Sequence, residues 1–132
     1  MANIIAENLG RHYGQGDTRV CAVSGVNFTI ELGEFVALMG ESGAGKSTLL
    51  TMMGAMNTPS AGRYRVDDID VYALSAEQRA DFRREYLGFV FQSFHLVPYL
   101  SVLENVMLPL TVAPLARKQK QRRAMDALAW VG

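Results

Sequence analysis

The sequence predicts a globular α/β domain, because short β-rich segments alternate with segments of helical spacing along most of the chain. Hydrophobic residues make up 49% of the 132 residues, which is enough for a packed core. Glycine, proline, asparagine and aspartate separate the segments, as expected for turns. About forty residues at the end are more helical in pattern than the rest. A helical part is therefore predicted after the sheet-forming part.

Two β-rich segments near the start, Ile4 to Glu7 and Val20 to Ile30, are separated by a loop that contains Gly14 and Gly16. This pattern predicts two antiparallel strands with a turn between them. Glu34 to Met39 is a short and nearly continuous apolar run, which is typical of a strand covered on both faces of an α/β sheet.

Further helices and strands are predicted for the rest of the chain. Helices are expected over Ser47 to Met53, Ser75 to Glu85, Ser101 to Leu108 and Arg117 to Val131. Short strands are expected at Arg63 to Val66, Ile69 to Tyr72 and Tyr86 to Phe91.

The charge balance excludes a strongly basic or acidic protein, since thirteen lysine and arginine residues offset thirteen aspartate and glutamate residues. No global field therefore draws the chain to nucleic acid or to an anionic membrane. A local basic cluster runs from Arg117 to Arg123, but no aromatic residue lies within it. We interpret the cluster as the solvated face of a helix and expect no nucleic-acid partner.

The cysteine content and the length of the apolar runs indicate the cellular compartment in which the chain is expected. Cys21 is the single cysteine and has no partner for an internal disulfide, which fits a reducing compartment. The first residues have neither a basic start nor a long apolar core, and the ~18 uninterrupted apolar residues that would cross a membrane occur nowhere. We therefore expect neither a secretion signal nor a membrane span.

The strongest chemical signal is the segment Gly40-Glu41-Ser42-Gly43-Ala44-Gly45-Lys46-Ser47. It matches a phosphate-binding pattern: glycine, four residues, Gly-Lys, then Ser or Thr, between a strand and a helix. The alternative is a glycine turn with an exposed lysine. The four fixed positions arise by chance in only about one chain of this length in a few hundred. The pattern therefore predicts a nucleotide site.

Each residue type in this loop suits one part of a nucleotide. The glycines let successive backbone amides point at phosphate oxygens, and the following helix adds the positive end of its dipole. Lys46 supplies a cation for the outer phosphates, Ser47 a hydroxyl for Mg²⁺, and Ser42 or Thr48 a donor to phosphate oxygens. The predicted binding residues are Gly40, Ser42, Gly43, Ala44, Gly45, Lys46, Ser47 and Thr48.

Two residues outside the loop resemble functional residues of the ATPases of ABC transporters. Tyr13, within Arg-His-Tyr-Gly, resembles the aromatic residue that stacks on adenine in that family. Gln92, which closes Gly-Phe-Val-Phe-Gln, resembles the glutamine that contacts Mg²⁺ and the attacking water. The stretch from Leu87 to Leu110 resembles the branch that contains lipoprotein-releasing and macrolide-exporting ATPases. Taken alone, either residue is more often an ordinary tyrosine or glutamine.

The resemblance implies a P-loop ATPase fold of the ABC type, incomplete here, with an N-terminal antiparallel β segment. It implies an ATP-binding core over residues 1–92 and the start of a helical subdomain over residues 93–132. The implied cofactors are ATP and Mg²⁺, with Mg²⁺ held by Ser47 and Gln92. Gln92 is also the implied catalytic residue.

The resemblance further implies two protein partners. A membrane-spanning transporter subunit would contact the segment from Phe94 to Tyr99, and a second ATPase subunit would complete a homodimer. The implied location is cytoplasmic, peripheral on the inner face of the cell membrane. Without the resemblance, the segment from Phe94 to Tyr99 would be interpreted as a buried connector.

Two further family features are absent from these 132 residues: an apolar strand that ends in Asp-Glu, and the Leu-Ser-Gly-Gly-Gln loop. Leu74-Ser75-Ala76-Glu77-Gln78 imitates that loop but lacks its glycines and precedes Gln92. We interpret it as a helix capping box with Ser75 at the N-cap.

The sequence therefore favours the ATP-binding part of a transporter ATPase that couples ATP binding and hydrolysis to transport by a separate membrane subunit. The alternative is a truncated nucleotide-binding module that binds ATP without hydrolysing it, and turnover by these residues alone is doubtful. A GTPase is disfavoured because no Asn-Lys-x-Asp motif occurs. The transported substrate and the direction of transport are not encoded in any recognisable residue.

Overall fold

The computed structural model of the chain describes residues 3–132, so the first two residues of the predicted 1–92 segment lie outside the described residues. Contacts divide the chain into two compact units, one that ends at Gly88 and one from Phe89 to Gly132. We name the first, described from Asn3 onward, the sheet unit and the second the helical unit. The subdomain boundary after Gln92 stays a prediction.

The sheet unit contains four strands in the spatial order β2-β1-β3-β4. Their bounds are β1 Ile4–Tyr13, β2 Val20–Ile30, β3 Ala61–Val66 and β4 Ile69–Asp70. Every pairing between these strands is antiparallel, and β1 and β2 pair from Ile4 opposite Ile30 to Tyr13 opposite Val20. A short 3-10 helix, Gly16–Thr18, lies in the connecting loop. The predicted antiparallel pair is confirmed, although β1 extends six residues beyond the predicted Glu7.

β1 contains a bulge near Asn8, which shifts the register of its pairing with both β2 and β3. Asn8 has φ of 50°, and its backbone N–H donates to Asn27 Oδ1 at 2.8 Å instead of to a ladder carbonyl. Gly62 on β3 approaches so closely that a side chain there would collide with the Asn8 carbonyl. The bulge therefore depends on one asparagine side chain and one glycine.

Two helices complete the sheet unit, α1 Lys46–Met53 and α2 Ala76–Tyr86. Leu49 and Met52 from α1 and Phe82 from α2 are buried with strand residues in one hydrophobic core. Ser75 caps α2: its hydroxyl accepts from the Gln78 N–H, and the Gln78 side chain accepts from the Ser75 N–H. The interpretation of this segment as a capping box is confirmed.

The helical unit contains α3 Val102–Met107, a 3-10 helix Leu108–Leu110 and α4 Arg117–Val131. α3 begins with the same device as α2, because Ser101 accepts from the Glu104 N–H and Glu104 Oε2 accepts from the Ser101 N–H. The predicted helical character of the last part of the chain is confirmed.

Two of the predicted strands are wrong. Glu34 to Met39 forms no strand, and Phe35 is fully exposed and Met39 86% exposed. A strand needs neighbours that exchange backbone hydrogen bonds with it, and none of the four described strands pairs with this segment. Tyr86 ends α2 instead of beginning a strand, and residues 87–91 form neither a helix nor a strand. Apolar composition thus predicted these segments without supplying their partners.

None of the helices within residues 3–132 combines the length and the apolar character that crossing a bilayer requires.

Candidate nucleotide site

The glycine loop connects the extended segment 34–39 to α1, and its backbone excludes side chains at one position above all. Gly45 has φ of 90°, in the left-handed region, and it lies against β2. A Cβ on Gly45 would collide with the Ala22 carbonyl oxygen and would lie 3.3 Å from Val23 Cγ2. Gly43 also has positive φ, at 81°, but space around it is open. The sheet therefore fixes the point at which the loop becomes a helix.

The N-terminus of α1 differs from those of α2 and α3 because no side chain caps it. Gly45 occupies the cap position that Ser75 and Ser101 occupy in the other two helices, and glycine has no group to accept from the first amides. The amides of the first turn of α1 are therefore available to an anion, in the positive field of the helix dipole. Serine at this position would compete with a phosphate oxygen for them.

Lys46, the first residue of α1, folds back over the loop. Its Nζ donates to the carbonyl oxygens of Gly40 and Glu41, both at 2.6 Å. The ammonium group is thus held above the loop by backbone atoms. Ser42 and Ser47 are exposed, and Thr48 is half-buried. The structure therefore brings together all the predicted residues of the loop, from Gly40 to Thr48.

A cavity of about 350 Å³ lies between the loop and β2. Its lining combines the aliphatic side chains of Val23, Val26, Leu38 and Leu49 with Ser24, Gly45 and Lys46. The aliphatic part of the lining does not suit a phosphate group, which needs hydrogen-bond donors. The amides and ammonium group of the loop are the features that suit an anion.

Tyr13 lies at the end of β1 in the same unit as the loop, and two side chains that the sequence did not single out hold it. Asn57 Nδ2 donates to the Tyr13 hydroxyl at 2.7 Å, and the Arg11 guanidinium carbon lies 4.7 Å from the ring centroid. The hydrogen bond from Asn57 is the largest cause of a lowered pKa of Tyr13. Partial desolvation raises this pKa, but Arg11 and Thr48 lower it further, so the net shift is downward. Asn57 is 44 residues from Tyr13, so no sequence spacing indicates the contact.

Gln92 and the segment from Phe94 to Tyr99 lie in the helical unit. Gln92 occupies an exposed bend, and its contact with Mg²⁺ stays a prediction. Phe94 and Tyr99 are 89% and 87% exposed. Asn105 on α3 shapes this segment: its Oδ1 accepts from the Val97 N–H at 2.8 Å, and its Nδ2 donates to the carbonyl oxygens of Val97, Leu100 and Ser101. The segment is therefore exposed, contrary to a buried connector, and it is ordered by one asparagine.

A glycine loop on an uncapped helix start, with a lysine held over it, defines the phosphate-loop class of nucleotide-binding domains. The profile of the ABC transporter family matches residues 23–132, which is well over half of the chain. This chain belongs to the ABC transporter family.

Several relatives and a solved structure agree with the family. The chain is 44% identical to the lipoprotein-releasing system ATP-binding protein LolD of Geobacter metallireducens, over 95% of this chain and 56% of that protein. It is 41% identical to the uncharacterized ABC transporter ATP-binding protein YvrO of Bacillus subtilis, over 95% of this chain and 55% of that protein. It is 43% identical to the macrolide export ATP-binding/permease protein MacB of Hyphomonas neptunium, over 96% of this chain and 20% of that protein.

A structure of the ATP-binding cassette MJ0796, a dimer in a post-hydrolysis state bound to ADP and Pi, superposes with a TM-score of 0.87 and 36% identity. The superposition covers 96% of this chain and 56% of the MJ0796 chain. The ABC ATPase fold class and the resemblance to the lipoprotein-releasing and macrolide-exporting branch are confirmed. The chain spans about half the length of the separate ATP-binding relatives that it matches.

Proposed function

We propose that this chain is the ATP-binding part of a transporter ATPase, and that the loop from Gly40 to Ser47 holds the phosphates of ATP with Mg²⁺. The observation that carries the proposal is the geometry around Gly45 and Lys46. Only glycine fits against the Ala22 carbonyl, the α1 amides have no side-chain cap, and the one ammonium group of the loop lies over it. These are the donors that a triphosphate needs.

Lys46 acts in this proposal through its charge and through its fixed position. Two loop carbonyls hold Nζ at 2.6 Å in the free protein, so little side-chain freedom remains to be lost when phosphate binds. The outer phosphates then replace or share these contacts as charge-assisted partners. Ser47 supplies the hydroxyl for Mg²⁺, Ser42 and Thr48 donate to phosphate oxygens, and Gln92 contacts the metal and the attacking water.

Tyr13 supplies the base contact in this proposal. The residue is 41% exposed at the end of β1, and its hydroxyl accepts a hydrogen bond from Asn57, which follows α1. An aromatic ring held in this way offers a face for adenine, with a stacking contribution of roughly 0.5 to 1.5 kcal/mol by analogy with aromatic pairs.

The whole protein would couple ATP binding and hydrolysis to transport, together with a membrane subunit and a second copy of the ATPase. The dimeric cassette and the relatives named for lipoprotein release and macrolide export support this. The exposed side chains from Phe94 to Tyr99 are the proposed contact with the membrane subunit, on the cytoplasmic side. Loss of co-purification with that subunit in Phe94→Ser, but not in the equally exposed Trp130→Ser, would support the contact, and retention in both would contradict it.

The nucleotide site is tested by calorimetric titration of the purified chain with ATP and Mg²⁺. Lys46→Ala is expected to lower the affinity at least about tenfold, since hydrogen bonds to charged groups typically contribute about 1.5 to 3 kcal/mol. Lys118→Ala removes an equal charge from the exposed start of α4 and serves as the matched control. Unchanged ATP binding in Lys46→Ala, or an equal loss in both variants, would overturn the assignment of the loop.

A further inference from the structure

The turn that follows α1 is held in place by side chains from two other elements. The Tyr72 hydroxyl shares its one hydrogen between the Met52 carbonyl at 2.6 Å and the Asn57 carbonyl at 2.9 Å. Arg83 on α2 donates to the carbonyl of Ala55, at 2.8 Å, where the backbone has φ of 55°. These contacts fix the backbone from which the Asn57 side chain projects, so Asn57 is a rigid support and not a mobile surface group.

The Asn57 side chain, held in this way, donates a hydrogen bond to the Tyr13 hydroxyl. Its Nδ2 lies 2.7 Å from that oxygen, and the same amide lies 3.5 Å from the hydroxyl of Thr51 on α1. The aromatic ring at the end of β1 is therefore connected to the helix whose N-terminus forms the phosphate loop. Without this contact, the Tyr13 side chain would keep its contacts with Arg11 and Thr48 but lose its hydrogen bond to the turn that follows α1.

Arg11 limits which face of the Tyr13 ring is free. Its guanidinium group covers one face at 4.7 Å, and its Nη1 donates to the Thr58 carbonyl at 2.6 Å, so the guanidinium is itself anchored to the same turn. A planar cation over a phenol ring is a favourable arrangement. A ligand ring therefore has access to the opposite face alone.

We propose that Asn57 is a positioning residue that fixes the Tyr13 ring for stacking on the nucleotide base, and that Arg11 restricts the base to the uncovered face. This inference rests on the proposed nucleotide site. It assigns base recognition to a cluster of three residues, in which Asn57 and Arg11 each contact Tyr13 and Arg11 also donates to the turn at Thr58. The lowered pKa of Tyr13 agrees with the geometry, because an amide donor stabilises the phenolate.

The first test separates the base from the phosphates by comparing ATP with inorganic tripolyphosphate, each titrated with Mg²⁺ in the full chain. Asn57→Ala is expected to weaken ATP binding about two- to tenfold and to leave tripolyphosphate binding unchanged. Asn57→Asp replaces the amide donor with a carboxylate that can accept from the Tyr13 hydroxyl, so the direction of the hydrogen bond reverses, and the variant is expected to retain ATP affinity. Asn3→Ala removes an asparagine side chain of the same unit, next to the end of β1 opposite to Tyr13, and it should change neither affinity.

A double-mutant cycle tests whether Asn57 affects ATP affinity through the Tyr13 hydroxyl. In the Tyr13→Phe background the hydroxyl is absent, so Asn57→Ala is expected to cause no further loss of ATP affinity. An equal loss with and without the hydroxyl, or equal losses for ATP and tripolyphosphate, would overturn the positioning role while leaving the phosphate loop intact. Failure of wild-type protein to bind either ligand would instead overturn the proposed function, and the positioning role with it.

A spectroscopic readout checks the contact without any ligand. The ultraviolet titration of phenol ionisation, taken as the difference between wild type and Tyr13→Phe, isolates Tyr13 from the other tyrosines. Asn57→Ala is expected to raise the Tyr13 pKa because the donor to the phenolate is lost, and Asn57→Asp to raise it further because a carboxylate repels the phenolate. A Tyr13 pKa that is the same in wild type and Asn57→Ala would contradict the inference.

Discussion

Different kinds of interaction stabilise the sheet unit and the helical unit, each considered by itself. Nine hydrophobic residues form a buried core in the sheet unit, among them Leu9, Met52 and Tyr64. Among the described residues from 89 onward, Ala124 is the one buried side chain. The helical unit nevertheless has two regular helices, one of them of fifteen residues. Regular structure in the first unit thus depends on burial between distant segments, whereas in the second α3 and α4 contact each other with little burial and local hydrogen bonds contribute more.

The local contacts of the helical unit are concentrated at the start of α3. Ser101 and Glu104 form a reciprocal capping box, and Asn105 binds three carbonyls of the preceding turn. These contacts span at most eight residues of sequence. In the sheet unit, by contrast, β1 contacts β3 more than fifty residues later. Loss of a distant contact should therefore affect the sheet unit cooperatively, whereas loss of a cap should affect one helix.

The largest expected effect comes from removing a core side chain of the sheet unit. Leu9→Ala is expected to destabilise that unit by about 2 to 5 kcal/mol, because Leu9 is fully buried. Leu108→Ala makes the same change at a 40% exposed site of the helical unit and is expected to cost well under ~1 kcal/mol. Hydrogen exchange resolved by segment measures both, and equal loss of protection in the two variants would refute the contrast.

The two units are expected to respond to opposite extremes of pH. Burial raises the pKa of Tyr64 and of Tyr72 to about 12, so both phenols are neutral in the folded sheet unit. Their contribution is complete below the ordinary tyrosine value of 10.0 and is lost as the pH rises through about 12. Circular dichroism should therefore show the strands unfolding in alkali.

In the helical unit the titrating group is Glu104. Hydrogen bonds from the Ser101 backbone and side chain lower the pKa of Glu104 below its ordinary 4.5. Its contribution is present above 4.5 and is lost as the pH falls through the lowered value. α3 should therefore fray in acid before the sheet does, and strands that fray together with α3 would contradict the assignment.

The smallest effect compares the same cap in the two units. Ser75→Ala and Ser101→Ala each remove an N-cap hydroxyl, at a typical cost of about 1 kcal/mol. α2 keeps the buried Phe82 as an anchor, whereas α3 has six residues and no buried side chain. Exchange of the α3 amides should therefore increase more than that of the α2 amides. The reverse order would show that the helical unit has stabilising contacts beyond its caps.

Sequence reasoning succeeded where structure depends on near neighbours. The start of α1 after the glycine loop, the box at Ser75 and the helix from Arg117 to Val131 are all encoded within a few residues, and each lies where the pattern predicts it. The antiparallel pair β1 and β2 was also predictable, because one short loop connects the two strands.

Sequence reasoning failed where the partner of a segment is distant or is not specified by composition. Glu34 to Met39 has the composition of a buried strand, but pairing partners cannot be read from composition, and the segment is exposed. No sequence pattern indicates Asn57, because its role depends on a fold that places it beside Tyr13. Gly45 was assigned to the loop, but its contact with Ala22 was not foreseen.

The contact between Gly45 and Ala22 has a genetic consequence. The contribution of Ala22 is its backbone carbonyl, which every amino acid carries, whereas that of Gly45 is the absence of a side chain. The two codons should therefore tolerate variation very unequally, although the two residues touch. In a library that randomises both positions and selects for nucleotide binding, many small residues should survive at position 22 and glycine alone at position 45.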